Sequence, residues 1–279
     1  MTTENVIAKY EKCDGQLQGE IKNRRNASST NLAFSIVLHR DVAILEHQLK
    51  LLFRPNHAFC LHVDAKAPEK ILLAVQALVD CYKTAWPGAM MVIPTGPVST
   101  YWGHISLVES DLKCFESLEA EFSDWTHVMN LAGSELPTRP VGEIEAAIRT
   151  TLGEGQSFAY SRPVPEKYKR RIEISHELNF KSRFLSFLDG VRAFRYDQVP
   201  LPVKGTKKKS PPPHGLTVFK GLKNVILSRP MVRFILNDAV AIDFKKWLED
   251  TSVPDESFYA TMIRVEFNNR SGEVRQDLQ

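Results

Sequence analysis

Several common catalytic signatures are missing from the sequence. It contains no Gly-x-x-x-x-Gly-Lys phosphate loop, no Gly-x-Gly-x-x-Gly fingerprint, no Gly-x-Ser-x-Gly nucleophile turn and no His-Glu-x-x-His pair. These absences argue against most P-loop nucleotide hydrolases, dinucleotide-dependent dehydrogenases and hydrolases with a nucleophilic serine. They leave many enzyme classes open, so the function has to be sought in what the sequence does contain.

Long apolar runs and strong charge are also missing. No stretch of about 18 apolar residues occurs, and the first residues lack the basic and apolar regions of a signal peptide. The net charge is +3 and the isoelectric point is near 8.6, which gives no reason to expect a nucleic-acid partner. The densest basic run, 204–209, precedes three prolines and is interpreted as a solvated loop.

The four cysteines form no Cys-x-x-Cys pair, which argues against a structural zinc site. All of them lie in the first 114 residues, where they are either buried thiols or two disulfides, and spacing cannot choose among the three possible pairings. Asn26 and Asn269 each begin an Asn-x-Ser acceptor pattern for N-glycosylation. The two patterns favour an oxidising secretory compartment.

Short apolar segments alternate with amphipathic segments through the first half of the chain. Strands are predicted at 32–39, 58–63, 90–93 and 126–131, and helices after Asp41 and Pro68 and over 106–118 and 141–150. Asp41 is expected to cap the first of these helices. This alternation indicates βαβ units, so we predict an α/β fold with a parallel sheet between layers of helices.

Polar residues stand where three of these strands are expected to end. His39, Asp64 and Asn130 follow or close the apolar runs, and in parallel sheets ligands bind at the carboxyl ends of the strands. A single polar residue there is usually the start of a loop, but three together favour a binding edge.

Regular patterns weaken over 160–220, where we expect long loops, typical of a functional surface or of disorder. A strand pair interrupted by Gly221 is predicted at 216–227. Helices are predicted near 231–236 and 244–248, and a last helix begins near Pro254.

Five motifs, in the right order, resemble one enzyme family. They are Ser-Ile-Val-Leu-His at 35–39 with Leu-His-Val-Asp-Ala-Lys at 61–66, the segment 102–112 that begins with Trp-Gly-His, the segment 125–137 that contains Asn-Leu-Ala-Gly-Ser-Glu-Leu-Pro at 130–137, the segment 219–229, and the segment 253–261 that contains Pro-Asp-Glu. The chain thus resembles the Core-2/I-branching β-1,6-N-acetylglucosaminyltransferases, which share a larger family with the peptide O-xylosyltransferases.

The resemblance implies a GT-A type nucleotide-sugar fold, with a central, mostly parallel sheet flanked by helices. It implies inverting transfer of N-acetylglucosamine from UDP-N-acetylglucosamine to a glycan without a metal or other cofactor, and the sequence has no Asp-x-Asp metal motif. The catalytic base would be Glu256, where the dipole of the helix favours a carboxylate by about 0.3 to 1 kcal/mol. Without the motif, Glu256 would be an ordinary carboxylate at the start of a helix.

Further site residues are implied by motif position. Val37, His39 and Asp64 would line the uridine pocket and Trp102 would stack near the base, although Trp102 could equally be core packing. The charged run 166–173 would hold the acceptor through Glu166, Lys169, Arg170 and Arg171, with a solvated helix face as the alternative. The family's disulfides imply Cys13–Cys81 and Cys60–Cys114.

Three departures from the family pattern accompany the resemblance. Glu135 stands where the family usually has aspartate, and 221–224 lacks the expected small and aromatic residues. The family's diphosphate-binding cations lie well downstream of the base, where this chain has only Arg264, Arg270 and Arg275.

The expected organisation is a stem-like segment at 1–30 and a transferase domain at 31–279 whose C-terminal part is missing. The full-length form would be a type II membrane protein in the Golgi lumen, anchored by a segment outside this chain. Two alternatives stay open: peptide O-xylosyltransferase activity, and an inactive homologue that acts as a binding fragment.

Overall fold

The computed structural model of the chain describes residues 2–22, 30–153, 155–179 and 201–271. The helices are α1 (Thr3–Lys12), α2 (Gly15–Lys22), α3 (Val42–Leu52), α4 (Glu69–Ala85), α5 (Ser106–Glu121), α6 (Val141–Thr151), α7 (Glu166–Glu173), α8 (Arg229–Asn237), α9 (Ala239–Trp247) and α10 (Asp255–Ser271). The strands are β1 (Leu32–Leu38), β2 (Ala58–Val63), β3 (Met90–Val92), β4 (His127–Ala132), β5 (Phe158–Pro163), β6 (Ile174–Asn179), β7 (Leu201–Lys208) and β8 (Phe219–Ser228).

Six strands form one sheet in the order β3-β2-β1-β4-β8-β5. The pairs β1–β2, β1–β4 and β2–β3 are parallel, and β8 runs antiparallel to β4. Leu38 pairs with Val63 and Val37 pairs with Ala132, so β1, β2 and β4 end at the same edge. The predicted α/β fold with a central, mostly parallel sheet is therefore confirmed.

The chain divides into two compact units. The first unit contains Met1–Ser99, Ser110–Phe158 and Asn224–Val232, and the second contains Thr100–Glu109, Ala159–Lys223 and Arg233–Gln279. In the described ranges, no helix is both long enough and apolar enough to cross a bilayer.

The core of the first unit is built on β1 and β2. Every side chain of β2 and all but one of β1 are buried, because helices cover both faces of parallel strands. The helix α4 turns an apolar face inward at helical spacing, including Ile71, Val75, Leu78 and Tyr82. The helices α1 and α2 contribute Val6, Tyr10, Leu17 and Ile21 to the same core. The stem-like role of residues 1–30 stays a prediction.

Both implied disulfides are present in the first unit. Cys13–Cys81 joins the end of α1 to α4, and Cys60–Cys114 joins β2 to α5. Their Cα–Cα distances of 5.3 and 5.4 Å are ordinary for such bridges. The pairing implied by the family resemblance is confirmed, and the alternative of buried thiols is wrong.

One local expectation in this unit is wrong. The helix α3 begins after Asp41, but the Asp41 side chain makes no capping hydrogen bond. Its backbone is left-handed, with φ at 58°, and its carboxylate pairs with Arg40 at 3.2 Å instead.

The second unit contains regular structure where long loops were expected. Within 160–220, β5, α7, β6 and β7 are present, and β6 pairs antiparallel with β7. Residues 180–200 of that stretch lie outside the described residues. The predicted strand pair at 216–227 is also wrong, because β8 runs through Gly221 without interruption. A side chain at 221 would collide with the Tyr160 carbonyl oxygen, so this glycine allows a close backbone approach.

Candidate active site

The residues expected to bind the uridine lie at the carboxyl edge of the first unit's sheet. The Asp64 backbone N–H donates to the Leu38 carbonyl at 2.8 Å, and the Gly133 N–H donates to the Val37 carbonyl at 2.8 Å. His39 follows β1 directly. Val37, His39 and Asp64 therefore lie together, as the family resemblance implies.

The Asp64 carboxylate is buried and paired. Its side chain is 3% exposed, and the Lys66 ammonium lies 2.9 Å from each carboxylate oxygen. The Lys66 backbone N–H also donates to Oδ1 at 2.7 Å. Lys66 is thus part of this edge, a role that sequence reasoning missed although the residue lies inside the quoted motif.

His39 adds an imidazole ring with a lowered pKa to the same edge. Burial of the ring lowers the pKa of His39, and the neighbouring Arg40 lowers it further, whereas Asp64 acts in the opposite direction. An imidazole that is neutral near pH 7 can donate one hydrogen bond and accept another. The edge therefore offers both kinds of hydrogen-bonding group beside one carboxylate.

The turn after β4 is packed directly against β1. A Cβ atom on Gly133 would lie 2.5 Å from the Leu38 Cβ, which only glycine avoids. The buried Gln48 amide donates to the Ala132 carbonyl at 2.8 Å and also contacts the Glu135 carbonyl. The turn is therefore held from two sides at the predicted binding edge.

Glu135, one of the departures from the family pattern, closes this turn. Its Oε2 accepts a hydrogen bond from the Ala132 N–H at 2.7 Å. The Asn224 amide, at another departure, donates to both carboxylate oxygens of Glu135 at 3.1 Å. The two departures thus contact one another.

Asn130 does not end its strand, as was expected, but lies inside β4. Its amide group donates to Asp111 Oδ2 at 2.9 Å and accepts from the Val225 N–H at 2.8 Å. Asn130 therefore links β4 to α5 and β8, and its polar atoms are used within the fold.

In the second unit, Glu256 lies in the first turn of α10 and is 27% exposed. The preceding Val253 has a left-handed backbone, with φ at 55°, which is uncommon for a β-branched residue. Its N–H donates to the Gly103 carbonyl at 2.9 Å, which ties the turn to the segment that carries Trp102. Trp102 is 59% exposed, so the core-packing alternative for this residue is wrong.

Two cations share one oxygen of Glu256. Arg171 Nη1 lies 3.1 Å and Lys220 Nζ lies 3.0 Å from Oε2. Both cations also lie over the Tyr168 ring, at 4.5 and 5.0 Å from its centre, in cation–π contact. These four side chains line a shallow depression that is open to solvent.

The four predicted acceptor residues separate in the structure. Arg171 contacts Glu256, whereas Glu166 and Lys169 pair with each other at 2.6 Å on the exposed side of α7, and Arg170 is exposed. The hydrogen bond from Lys169 to Glu166 raises the pKa of Lys169. Sequence reasoning did not select Lys220 or Tyr168, although both lie inside quoted segments.

The remaining expectations concern the cations downstream of Glu256, the two glycosylation sites and the absence of a metal. Arg264 donates to the Ser161 hydroxyl and carbonyl at 3.1 and 3.0 Å, so this cation is engaged in the fold. Asn26 lies outside the described residues, as do the side chains of Asn269 and Arg270 and the whole of Arg275. No cluster of three or more His, Cys, Asp or Glu able to hold a metal ion occurs in the part of the chain that is described.

Known proteins resemble this chain along most of its length. It is 29% identical over 234 residues to the β-1,3-galactosyl-O-glycosyl-glycoprotein β-1,6-N-acetylglucosaminyltransferase 4 of Mus musculus, and 30% identical to that of Danio rerio. It is 28% identical over 236 residues to the N-acetyllactosaminide β-1,6-N-acetylglucosaminyl-transferase of Homo sapiens. Each match covers 84% of this chain but 47%, 50% and 52% of the respective relative, so the chain spans about half the length of these proteins.

A family model for the Core-2/I-Branching enzyme matches residues 32–278. This range begins at β1 and includes every strand and the helix that carries Glu256. The chain belongs to the Core-2/I-branching enzyme family.

Proposed function

We propose that this chain carries the activity of a glycosyltransferase that moves N-acetylglucosamine from UDP-N-acetylglucosamine to an acceptor glycan in β-1,6 linkage. The names of the similar proteins support the sugar and the linkage. The observation that carries the proposal is the placement of Glu256, a partly exposed carboxylate in the first turn of a helix, at the motif position of the family's base.

The proposed step is a single in-line displacement with inversion. The acceptor hydroxyl oxygen forms a bond to the anomeric carbon while the bond from that carbon to the diphosphate breaks, and its electron pair leaves with UDP. The hydroxyl proton moves to Glu256. Glu256 lies in the first turn of α10, with Arg171 and Lys220 at 3.1 and 3.0 Å from its carboxylate.

The uridine part of the donor would be bound at the edge formed by Val37, His39 and Asp64. By motif position alone, Trp102 is a candidate contact for the base. A uracil ring presents one N–H donor and two carbonyl acceptors, which suits a carboxylate beside backbone groups and an imidazole. Lys66, which contacts both oxygens of the Asp64 carboxylate, would hold this side chain in position. Arg171 would contact the acceptor, with Glu166, Lys169 and Arg170 on the same helix.

The first prediction concerns the base. Glu256→Gln keeps the size of the side chain and removes its ability to take a proton, so transfer should fall by about 10²- to 10⁴-fold. Radiolabelled UDP-N-acetylglucosamine and a galactoside acceptor measure this. Glu143→Gln is the matched control, because Glu143 is an exposed carboxylate in the first turn of α6. Equal activity in the two variants would refute the role of Glu256.

The same assay with EDTA or with another sugar nucleotide tests whether a metal is needed and which donor is used. Transfer should persist in excess EDTA if no metal takes part, and UDP-xylose should be a poor donor. Xylose transfer without N-acetylglucosamine transfer would favour the O-xylosyltransferase alternative. UDP binding without any transfer would favour the binding-fragment alternative.

The proposed location is the Golgi lumen. The two disulfides support it, because such bridges persist in oxidising compartments. Non-reducing mass spectrometry of protein from its native cells should detect both bridges, and free thiols there would contradict the location.

A further inference from the structure

The depression around Glu256 carries an excess of positive charge. Arg171 and Lys220 are two cations, and Glu256 is the one carboxylate among the residues that line it. Both cations are partly exposed, at 35% and 13% of their side chains, so a ligand can reach them from solvent.

The positions of the cations do not depend on Glu256 alone. Tyr168 holds the Arg171 guanidinium and the Lys220 ammonium over its ring, and the Lys220 backbone belongs to β8. The Tyr168 ring is thus a second contact for both cations, and this contact does not involve Glu256. Arg171 and Lys220 therefore form a site for negative charge, and Glu256 contacts both of them.

Proton transfer to Glu256 changes the charge balance of this site. When the carboxylate accepts the acceptor's proton, both cations lose their counter-charge at the same moment. A neutral acceptor supplies no replacement, whereas an anionic group placed on the cations does so and leaves Glu256 free to contact the hydroxyl.

We propose that Arg171 and Lys220 form a subsite for an anionic group, a carboxylate or sulfate, carried by the acceptor sugar. This proposal rests on the proposed function, because it takes Glu256 to be the base. It adds a class of acceptor and gives Lys220 a role in specificity.

The acceptor is favoured over the donor as the source of the anion. In an in-line displacement the attacking hydroxyl and the leaving diphosphate lie on opposite sides of the anomeric carbon. The base contacts the attacking hydroxyl, and the two cations contact the base at 3.0 and 3.1 Å. They are therefore on the acceptor side of the reaction.

The first test measures binding without catalysis. Methyl 3-O-sulfo-β-galactoside and methyl β-galactoside differ only at one sulfate, and both keep the 6-hydroxyl that β-1,6 transfer needs. Their affinities for the full chain can be compared by saturation-transfer NMR. The sulfated sugar should bind at least about tenfold more tightly, and Lys220→Met should remove that difference. Lys223→Met, which removes another lysine of β8, should preserve it. Equal affinities for the two sugars, or equal effects of the two variants, would overturn the proposal.

The second test measures transfer to the same pair of sugars, one neutral and one bearing the sulfate. Lys220→Met should lower kcat/KM for the acidic acceptor by about tenfold or more beyond its loss on the neutral acceptor, a loss that reports the contact of Lys220 with Glu256. Equal losses on both acceptors would mean a structural role for Lys220. A raised KM for UDP-N-acetylglucosamine alone would mean that the cations serve the donor. Either result would overturn the proposal.

Failure of the proposed function gives a different pattern. In that case, Glu256→Gln would transfer as well as the wild type, or neither acceptor would be used. The binding preference for the sulfated sugar would still decide whether the anion subsite exists.

Discussion

Gly133 shows how one residue can determine the shape of the proposed donor edge. Its N–H donates to the Val37 carbonyl at 2.8 Å, and its α-carbon faces Leu38 so closely that no Cβ fits. The nearest Leu38 atoms are Cβ and Cα, which cannot rotate away as the tip of a side chain could. A larger residue at 133 must therefore displace the turn or the end of β1.

Gly133→Ala should destabilise the first unit by about 1 to 3 kcal/mol, the usual cost of overpacking, and should weaken UDP binding. Urea unfolding and calorimetric titration with UDP measure the two effects. Gly142→Ala is the control: this helical glycine has open space around it, so alanine should stabilise α6 by about 0.5 to 1 kcal/mol. Unchanged stability and UDP affinity in Gly133→Ala would contradict the role given to the turn.

The candidate base and its partners differ in how far sequence could identify them. Glu256 was predicted because a contiguous motif surrounds it and a helix start has local signals. The contact with Arg171 joins residues 85 positions apart, and no periodicity encodes that distance. Tyr168 and Lys220 were overlooked because a tyrosine in a charged helix and a lysine in a strand are ordinary in isolation.

At the scale of elements, sequence patterns predicted the strands and helices of the first half of the chain but not the strands of its middle. The strands β1, β2 and β4 are apolar runs between amphipathic helices, so local pattern and burial agree. The strands β6 and β7 carry residues such as His176, Glu177 and Lys207, and they form by pairing with each other. Their sequences therefore resemble loops, because pairing between distant segments overrides local preference.

Lys209 connects β7 to the segment that leads into α10. Its side chain is 3% exposed, and its ammonium donates to the Trp247 carbonyl at 2.6 Å and to the Thr251 hydroxyl at 2.7 Å. It also pairs with Asp250, whose side chain is 47% exposed. Burial lowers the pKa of Lys209, and the contact with Asp250 acts in the opposite direction.

Lys209→Met should lower the free energy of unfolding toward the lower end of the roughly 3 to 5 kcal/mol seen when a buried charge pair is broken. The lower end is expected because water can still solvate Asp250. Thermal or urea unfolding measures the change, with Lys246→Met on exposed α9 surface as the control. A loss of less than about 1 kcal/mol would show that the lysine is not needed to hold this segment.

At the scale of the whole molecule, the histidines make stability depend on pH. Burial is the main cause that lowers the pKa of four of them, His39, His57, His104 and His127. His57 also faces the buried Glu145 at 2.9 Å, which acts in the opposite direction without reversing the shift. The chain already carries a net charge of +3 with its eight histidines neutral, so every proton taken up in acid adds to existing repulsion.

The sign of the effect follows from which state binds the proton first. In the unfolded chain a histidine titrates near its ordinary value of 6.5, whereas in the folded chain these rings accept a proton only at lower pH. Below about pH 6.5 the unfolded state therefore binds more protons, and the free energy of unfolding falls as the pH falls. Above that pH these histidines are neutral in both states, so they do not make the free energy of unfolding depend on pH.

His127→Gln tests this with one buried group. The ring is 1% exposed and its Nε2 lies 3.0 Å from the Gln156 carbonyl, a hydrogen bond that a glutamine amide can replace. The free energy of unfolding, measured by urea titration between about pH 7.5 and 5.5, should fall in the wild type as the pH is lowered. In the variant it should fall less, and the difference should be at most about 1.4 kcal/mol per pH unit. His47→Gln, on exposed surface of α3, reports the effect of losing an imidazole that is not buried. If His127→Gln and the wild type lose stability in parallel, the acid sensitivity comes from the other histidines or from net charge alone.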